Sequence, residues 1–221
     1  MNLKIISKND RDVFHKDNRV NQVVDLLLND NTLLYKEIVN IINSIFNLHE
    51  FSNYIQILNN LYTRPELSEK LQVYTIFLWH IYNDKMQCAN LRGALLERLV
   101  YKLLEKKYGN DCESHISCYI CIDSWMSQKS VDVFFYIANE DMGESFECKV
   151  NPDGFEGVHI NNLKQIFIKS NEKIFPAVVS FSSKRALELR VKDSKIYIGS
   201  VKLYGWENLK EIAIKNLPIS S

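Results

Sequence analysis

The stretch that decides the fold is SVDVFFYIANEDMGESFECKV, from Ser130 to Val150. It contains two short runs rich in β-branched and aromatic residues, VDVFFYIA and SFECKV, on either side of the polar turn NEDMGE. This pattern predicts two β-strands that are joined by a turn and pair antiparallel. Three charged residues stand among the apolar ones, namely Asp132, Glu147 and Lys149.

The spacing of these charges indicates a chemical role. Glu147 and Lys149 are two positions apart, so in a strand both side chains point to the same face of the sheet. Antiparallel pairing can then bring Asp132 close to Glu147, and two adjacent carboxylates can bind a hard cation such as Mg²⁺. Bound Mg²⁺ activates water and offsets charge on a phosphodiester, while Lys149 can orient that water. The pattern suggests phosphodiester hydrolysis, and an ordinary ion pair at a strand end is the alternative.

The flanking segments continue a mixed pattern of helices and strands. Upstream, leucines at four-residue steps predict a helix from Ala89 to Lys107, and HISCYICI predicts a strand. Downstream, we expect a helix from Asn161 to Lys173, the strand PAVVSFS, a short helix from Ser183 to Val191 and a strand pair around KIYIGSVKLYG. The resulting core order is helix, three strands, helix, strand.

The first hundred residues have a different texture, with apolar residues at helical spacing. In TLLYKEIVNIINSIF the apolar stripe consists of Leu34, Ile38, Ile41, Ile42 and Ile45. We therefore expect an all-helical N-terminal region over residues 1–88 and a second domain over residues 89–221. A change in composition marks the boundary, and no flexible linker does.

This arrangement resembles the PD-(D/E)xK nuclease superfamily, whose core has an acid on the first helix, an aspartate on the second strand and (D/E)-x-K on the third. Glu97 in LRGALLERLVYKLL matches the helix position, Asp132 in SVDVFF matches the aspartate, and Glu147 with Lys149 in FECKV matches the last motif. The resemblance covers residues 89–182. It implies an α+β fold with an αβββαβ restriction-endonuclease-like core, in which helices flank a mixed sheet, next to the N-terminal helical region.

The resemblance also implies roles for individual residues. Glu97, Asp132, Glu147 and Lys149 would be the catalytic set, with the lysine activating or positioning water. Asp132, Glu147 and the main-chain carbonyl of Cys148 would bind the metal directly, and Glu97 would bind it through water. The implied cofactor is Mg²⁺, for which Mn²⁺ would substitute.

Basic and polar residues of the two following helices are candidates for binding a phosphate backbone. Such contacts supply affinity without sequence preference, because every nucleotide carries the same phosphate. Solvent-facing helix residues are the alternative interpretation. The candidates are Lys164, Gln165, Lys169, Lys184 and Arg185.

The charge distribution narrows the functional classes. The chain of 221 residues has 27 basic and 27 acidic residues, so its net charge gives no argument for a polyanion partner. Locally, residues 109–160 contain ten acidic and two basic residues, whereas residues 161–221 contain eleven basic and five acidic ones. An acidic centre beside a basic tail suits a cation site next to a polyanion, with solvated surface charge as the alternative.

The cysteines and the absence of a long apolar run bear on the cellular compartment. Five irregularly spaced cysteines favour reduced thiols over disulfides. Cysteine or histidine recurs every three positions at Cys112, His115, Cys118 and Cys121, which is a spacing that could suggest a zinc site. SCYICI is predicted to be a strand, in which residues three apart face opposite sides, so we expect buried thiols and no zinc site. Without an N-terminal apolar signal or an apolar run of membrane-spanning length, we expect a cytoplasmic protein with no membrane partner.

The preferred function is a Mg²⁺-dependent nuclease, most favourably a DNA endonuclease of a bacterial restriction or anti-phage defence system. The alternatives are a non-catalytic subunit with a nuclease fold that binds nucleic acid or assembles with other proteins, and an RNA or tRNA nuclease. No Walker-type phosphate-binding motif occurs, so an ATP-driven step would need a separate helicase or ATPase partner. A homodimer is compatible with the sequence, which leaves substrate specificity and oligomeric state open.

Overall fold

A computed structural model describes residues 1–8, 12–109, 112–193 and 199–214, and these form an α+β fold around one mixed sheet. Helices cover both faces of the sheet. The helices are α1 Asp12–His15, α2 Asn18–Asn29, α3 Leu34–Ser44, α4 Leu48–Leu61, α5 Pro65–Tyr82, α6 Cys88–Tyr108, α7 Gly157–Lys169 and α8 Lys184–Asp193. The strands are β1 Leu3–Ser7, β2 Glu113–Ile122, β3 Trp125–Met126, β4 Val131–Ile137, β5 Met142–Cys148, β6 Ile174–Val179 and β7 Lys202–Tyr204.

The sheet changes from antiparallel to parallel pairing at β5. Its strand order is β1-β2-β4-β5-β6-β7, and the short β3 pairs with β2. The β1–β2, β2–β3, β2–β4 and β4–β5 pairs are antiparallel, whereas the β5–β6 and β6–β7 pairs are parallel. The predicted hairpin is confirmed, with Val133 opposite Phe146 and Ile137 opposite Met142. Helix α7 makes the crossover that a parallel β5–β6 pair requires.

Alternate residues of the central strands serve two separate apolar clusters. Val133 and Phe135 of β4 and Phe146 of β5 pack into the cluster formed by helices α2 to α6. Phe134 packs into the cluster on the other face, together with Leu163 of α7 and residues of α8. Both faces of β4 are therefore buried, and a charged residue on either face is withdrawn from bulk water.

The structure corrects the expectation for the N-terminal region. Residues 1–88 are not all helical, because Leu3–Ser7 forms β1 and pairs with β2, Ile5 lying opposite Ile120. Five residues in an edge strand give too short an alternation to be distinguished from a loop by sequence pattern alone. The short β3 also went unpredicted.

The predicted helices and strands otherwise occur, with shifted ends. Helix α6 spans Cys88–Tyr108 and ends at Gly109, whose φ of +69° suits glycine. Helix α7 begins and ends four residues earlier than predicted, because Glu156 and His159 form a capping box at its start. The second strand of the predicted C-terminal pair is β7, whereas the first falls largely on residues 194–198, outside the described residues.

The two predicted domains share buried surface. One apolar cluster contains Val20 of α2, Leu95 of α6, Phe146 of β5 and Ile212 near the C-terminal end of the described chain. The boundary near residue 88 remains a prediction, and the helical layer packs directly on the sheet that carries the charged residues. Within the described ranges, no helix has both the length and the apolar character needed to cross a bilayer.

We expect Gly143→Ala to destabilise the β4–β5 pair. A Cβ at Gly143 would lie 2.6 Å from the main-chain oxygen of Phe135, so one of the two strands would have to move. The free energy of unfolding should fall by about 1–3 kcal/mol, the usual cost of overpacking, as measured by urea denaturation.

Ser145→Ala on the same strand is the matched control. Ser145 is fully buried and, among the described residues, its hydroxyl has no hydrogen-bond partner, so its removal should leave stability within about 1 kcal/mol of wild type. Equal stability of Gly143→Ala and wild type would contradict the close strand contact.

Candidate functional site

The site lies where β4 and β5 separate. The antiparallel ladder between these strands ends at the Val133–Phe146 pair, and the next residues on each strand are Asp132 and Glu147. The Asp132 carboxylate extends into this gap, where its Oδ2 accepts a hydrogen bond of 2.7 Å from the main-chain N–H of Cys148. The predicted closeness of the two strand acids thus arises at a fixed point of the sheet, held by a buried hydrogen bond.

Lys149 joins the two carboxylates. Its Nζ lies 3.2 Å from Asp132 Oδ2 and 2.5 Å from Glu147 Oε1. It follows the last residue of β5, and its main-chain N–H donates to the carbonyl of Val179 on β6. The parallel β5–β6 pairing therefore holds the backbone of Lys149 while the ammonium bridges two carboxylates from adjoining strands.

Burial sets the electrostatics of this group. Glu147 is 3% exposed and Asp132 is 9% exposed. Burial, followed by the negative charge of Asp132, raises the pKa of Glu147 to about 8, although Lys149 opposes the shift. The two carboxylates in turn hold the pKa of Lys149 above its ordinary value, against its own burial. Because removal of water disfavours isolated charge, the pair of acids needs positive charge close by.

Glu97 approaches the group from helix α6. Its side chain is 2% exposed, and its charge contributes to the raised pKa of Glu147. Glu97 Oε2 lies 2.9 Å from Nε2 of His15, the last residue of α1. The predicted helix acid therefore lies near the two strand acids, and it also contacts the N-terminal region.

A second histidine faces the group from the other side. His159, in the first turn of α7, has its Nε2 3.7 Å from Glu147 Oε1, which is a contact longer than a hydrogen bond. Its Nδ1 accepts the main-chain N–H of Glu156, so the neutral ring carries its proton on Nε2. Burial and the positive charge of Lys149 lower the pKa of His159, which favours this neutral form.

The thiols near the site are unsuited to nucleophilic chemistry. Burial raises the pKa of the Cys118 thiol to about 12, and that of Cys148 well above its ordinary value. A thiolate is the reactive form and the metal ligand, so both residues are packing residues at neutral pH. All five cysteines of the chain are free thiols.

The donor chemistry of the site fits a hard divalent cation. Asp132, Glu147 and Glu97 are buried carboxylates, and carboxylate oxygens are the ligands that Mg²⁺ prefers. As placed, however, no three His, Cys, Asp or Glu side chains in the described chain are grouped closely enough to hold a metal ion. The ammonium of Lys149 lies between the same two carboxylates that would bind the cation.

The predicted nucleic-acid-binding residues lie on α7 and α8. Gln165 and Lys169 of α7 are exposed, and Lys164 is half-buried. Lys184 and Arg185 are exposed in the first turn of α8. Helices α7 and α8 pack on the same apolar cluster, so these residues belong to one side of the sheet.

Sequence reasoning missed one histidine and left another unassigned. His15 is far from the charged strands in sequence, and no motif points to it. His159 follows β5 closely in sequence and lies in the first turn of the crossover helix α7, so a position near the strand acids could have been predicted. Its contact with Glu147 could not be predicted from the sequence alone.

Comparisons with known proteins support the fold alone. The crystal structure of protein VC1899 from Vibrio cholerae is similar, with a TM-score of 0.51 and 12% identity over 96% of this chain. This chain spans 57% of the length of that protein. No family model and no curated protein sequence matches the chain. At this identity the similarity supports the arrangement of helices and strands and carries no residue roles.

Glu147→Gln should change how stability depends on pH. The pKa of Glu147 is raised in the folded state, so this group favours folding while it is protonated. That contribution is complete below the unfolded pKa near 4.5 and is lost as pH rises towards 8. His159, whose pKa is lowered below 6.5, is already neutral above that pH. Between pH 6.5 and 8 the free energy of unfolding of wild type should fall relative to Glu147→Gln, by up to about 1.4 kcal/mol per pH unit.

Urea denaturation in EDTA measures this difference at each pH. Glu144→Gln is the matched control, because Glu144 lies on the same strand and forms a buried pair with Lys107, 3.0 Å away. It should keep the pH slope of wild type. Parallel pH profiles for wild type and Glu147→Gln would show that Glu147 ionises normally.

Proposed function

We propose that this protein is a metal-dependent nuclease that hydrolyses phosphodiester bonds in nucleic acid, with DNA as the favoured substrate. The observation that carries the proposal is the contact of one ammonium, that of Lys149, with two buried carboxylates from adjoining strands. The resemblance to PD-(D/E)xK nucleases and to their restriction-endonuclease-like core rests on the same residues. A role in restriction or anti-phage defence, beside a helicase or ATPase, follows from that resemblance alone.

The proposed roles follow from position and charge. Asp132 and Glu147 would hold Mg²⁺, with Glu97 and the carbonyl of Cys148 as further ligands. The metal would supply activation of water and neutralisation of charge on the phosphate. Lys149, adjacent to both ligands, would orient the attacking water and stabilise the negative charge that develops on the phosphate oxygens.

His159 is well placed for a supporting role in the same reaction. In its neutral form it presents an Nε2 proton towards Glu147, and its Nδ1 is fixed by the start of α7. A proton donor held in this way can orient the Glu147 carboxylate without adding charge to the site. The half-buried Lys164 and the exposed Gln165 and Lys169 of α7 would then contact the phosphate backbone beyond the reacting group.

One observation favours a second function, a binding or assembly module without turnover. The ammonium of Lys149 already satisfies both strand carboxylates, and no metal-binding group is formed within the described residues. Such a module would bind nucleic acid through its basic residues and would show no metal-dependent cleavage. Metal-dependent cleavage therefore separates the two functions.

Lys149→Ala should abolish cleavage while the protein still folds. Purified protein is incubated with plasmid, linear duplex and RNA in Mg²⁺, Mn²⁺ or EDTA, and cleavage is followed by gel electrophoresis. Wild type should cleave only with a divalent ion, and Lys149→Ala should lower the rate by about 100-fold or more, because it removes both water positioning and charge stabilisation. Comparison of the three substrates decides between DNA and RNA.

Lys107→Ala is the matched control. It also breaks a buried pair between a lysine and a glutamate of β5, since Lys107 Nζ lies 3.0 Å from Glu144 Oε1. It should lose stability but keep activity within a few-fold of wild type at a temperature where circular dichroism shows it folded. Cleavage in EDTA, or full activity of Lys149→Ala, would overturn the nuclease proposal. Nucleic-acid binding without cleavage by wild type would favour the binding module.

A further inference from the structure

A polar pocket lies next to His15, the residue whose Nε2 is 2.9 Å from Glu97 Oε2. It has a volume of about 570 Å³ and lies between β1, helices α1 and α6, and β2. Its lining includes Ser7, His15, Arg98, Tyr101, Ser114 and His115. None of these residues belongs to the catalytic or nucleic-acid-binding sets already described.

His15 is the least expected residue in this pocket. It is 5% exposed, and neither ring nitrogen has a hydrogen-bond partner among the described residues. Its Nε2 is 2.9 Å from Glu97 Oε2, but the two groups are not aligned as a hydrogen bond. Buried polar atoms normally have a partner, so a histidine that lines a pocket in this state indicates a missing ligand.

The remaining polar groups are held in place by one another. Arg98 Nε donates to Asn21 Oδ1 at 3.0 Å, and its guanidinium lies over the ring of Tyr101. The Tyr101 hydroxyl lies 2.9 Å from Ser114 Oγ, and His115 Nδ1 lies 3.1 Å from Ser7 Oγ. Arginine, histidine and hydroxyl groups that are fixed before binding make a site for an anion with several oxygens.

The charge of the lining selects the class of ligand. Lys16 and Arg98 line the pocket, and no carboxylate does so within the described chain. Two acids contact the histidines of the lining, since Glu97 Oε2 lies 2.9 Å from His15 Nε2 and Glu113 Oε1 lies 2.9 Å from His115 Nε2. An anion is therefore favoured over a cation, and a phosphate group can accept hydrogen bonds from the guanidinium of Arg98 and from the His15 ring, which makes no hydrogen bond among the described residues.

Glu97 links this pocket to the acidic group. It contacts His15 on one side, and its charge acts on the carboxyl of Glu147 on the other. A nucleic-acid strand whose reacting linkage lay at Asp132 and Glu147 would extend past Glu97 towards His15 and Arg98. Helix α6, which lines the pocket, packs on one face of the sheet, whereas α7 and α8 pack on the other face.

We propose that the pocket lined by His15, Arg98 and His115 binds a backbone phosphate of the nucleic-acid substrate next to the linkage that is cleaved. This assignment rests on the proposed nuclease function for the identity of the strand. Phosphate binding by the pocket can be measured without any cleavage.

The experiment is a titration of wild-type protein with inorganic phosphate in EDTA, followed by NMR of the histidine rings. The chain has five histidines, so the signals can be assigned one by one. The signals of His15 and His115 should shift and saturate, whereas those of the exposed His49 and His80 should not. Absence of a saturable shift at His15 would overturn the phosphate site.

Two variants of α6 test the charge requirement. Arg98→Gln should weaken phosphate binding about tenfold, the usual effect of losing one charge-assisted hydrogen bond. Lys102→Gln, one turn further along α6, is the control, because Lys102 pairs with Glu105 at 2.7 Å and lies outside the pocket lining. Equal weakening by both variants would overturn the site in favour of a general charge effect.

A thymidine trinucleotide, also in EDTA, tests whether the phosphate belongs to a strand. It should shift the same His15 and His115 signals and compete with inorganic phosphate. Shifts caused by phosphate but not by the trinucleotide would overturn the strand assignment. Failure of the subsite leaves metal-dependent cleavage intact, whereas trinucleotide binding without cleavage of any substrate would sustain the subsite and reject the nuclease.

Discussion

The structure depends on the contact between Lys149 and two carboxylates that the sheet places side by side. Asp132 and Glu147 are both withdrawn from water, and two like charges in such surroundings are costly, so the pKa of Glu147 is raised even with a cation beside it. Lys149 supplies that cation at 3.2 and 2.5 Å. Apolar residues of similar size are often at least as stable as a buried ion pair, so stability alone does not account for the charged group.

The fold fixes this group through the way its central strands separate. Strand β5 leaves β4 after Phe146 but continues to pair with β6 as far as Cys148, which lies opposite Val179. In the gap, the carboxylate of Asp132 accepts a hydrogen bond from the main-chain N–H of Cys148. One strand can therefore diverge from its neighbour without losing its own support, and the acidic side chains at the divergence keep a fixed spacing.

The extent to which sequence predicts this site depends on the range of the contacts. Asp132, Glu147 and Lys149 were predictable, because one turn and the two-residue period of a strand relate them. The start of α7 was missed, because the side chain that caps it is Glu156, outside the usual set of capping residues. His15 could not be found, because its contact with Glu97 depends on how α1 packs against α6. Helix propensity and hydrophobic spacing contain no information about that packing.

The balance of charge explains why metal and substrate should bind together under the proposed function. Lys149 contacts the carboxyl groups of Asp132 and Glu147, and the buried Glu97 adds its negative charge to theirs. Burial and the charge of Asp132 raise the pKa of Glu147 to about 8. A phosphate entering this group would meet further negative charge and would be repelled. A divalent cation would reverse the balance, and each ligand would then lower the electrostatic cost of the other. On this argument the acids repel a nucleic-acid strand without the metal and recruit it with the metal, so the same carboxylates control both binding and chemistry.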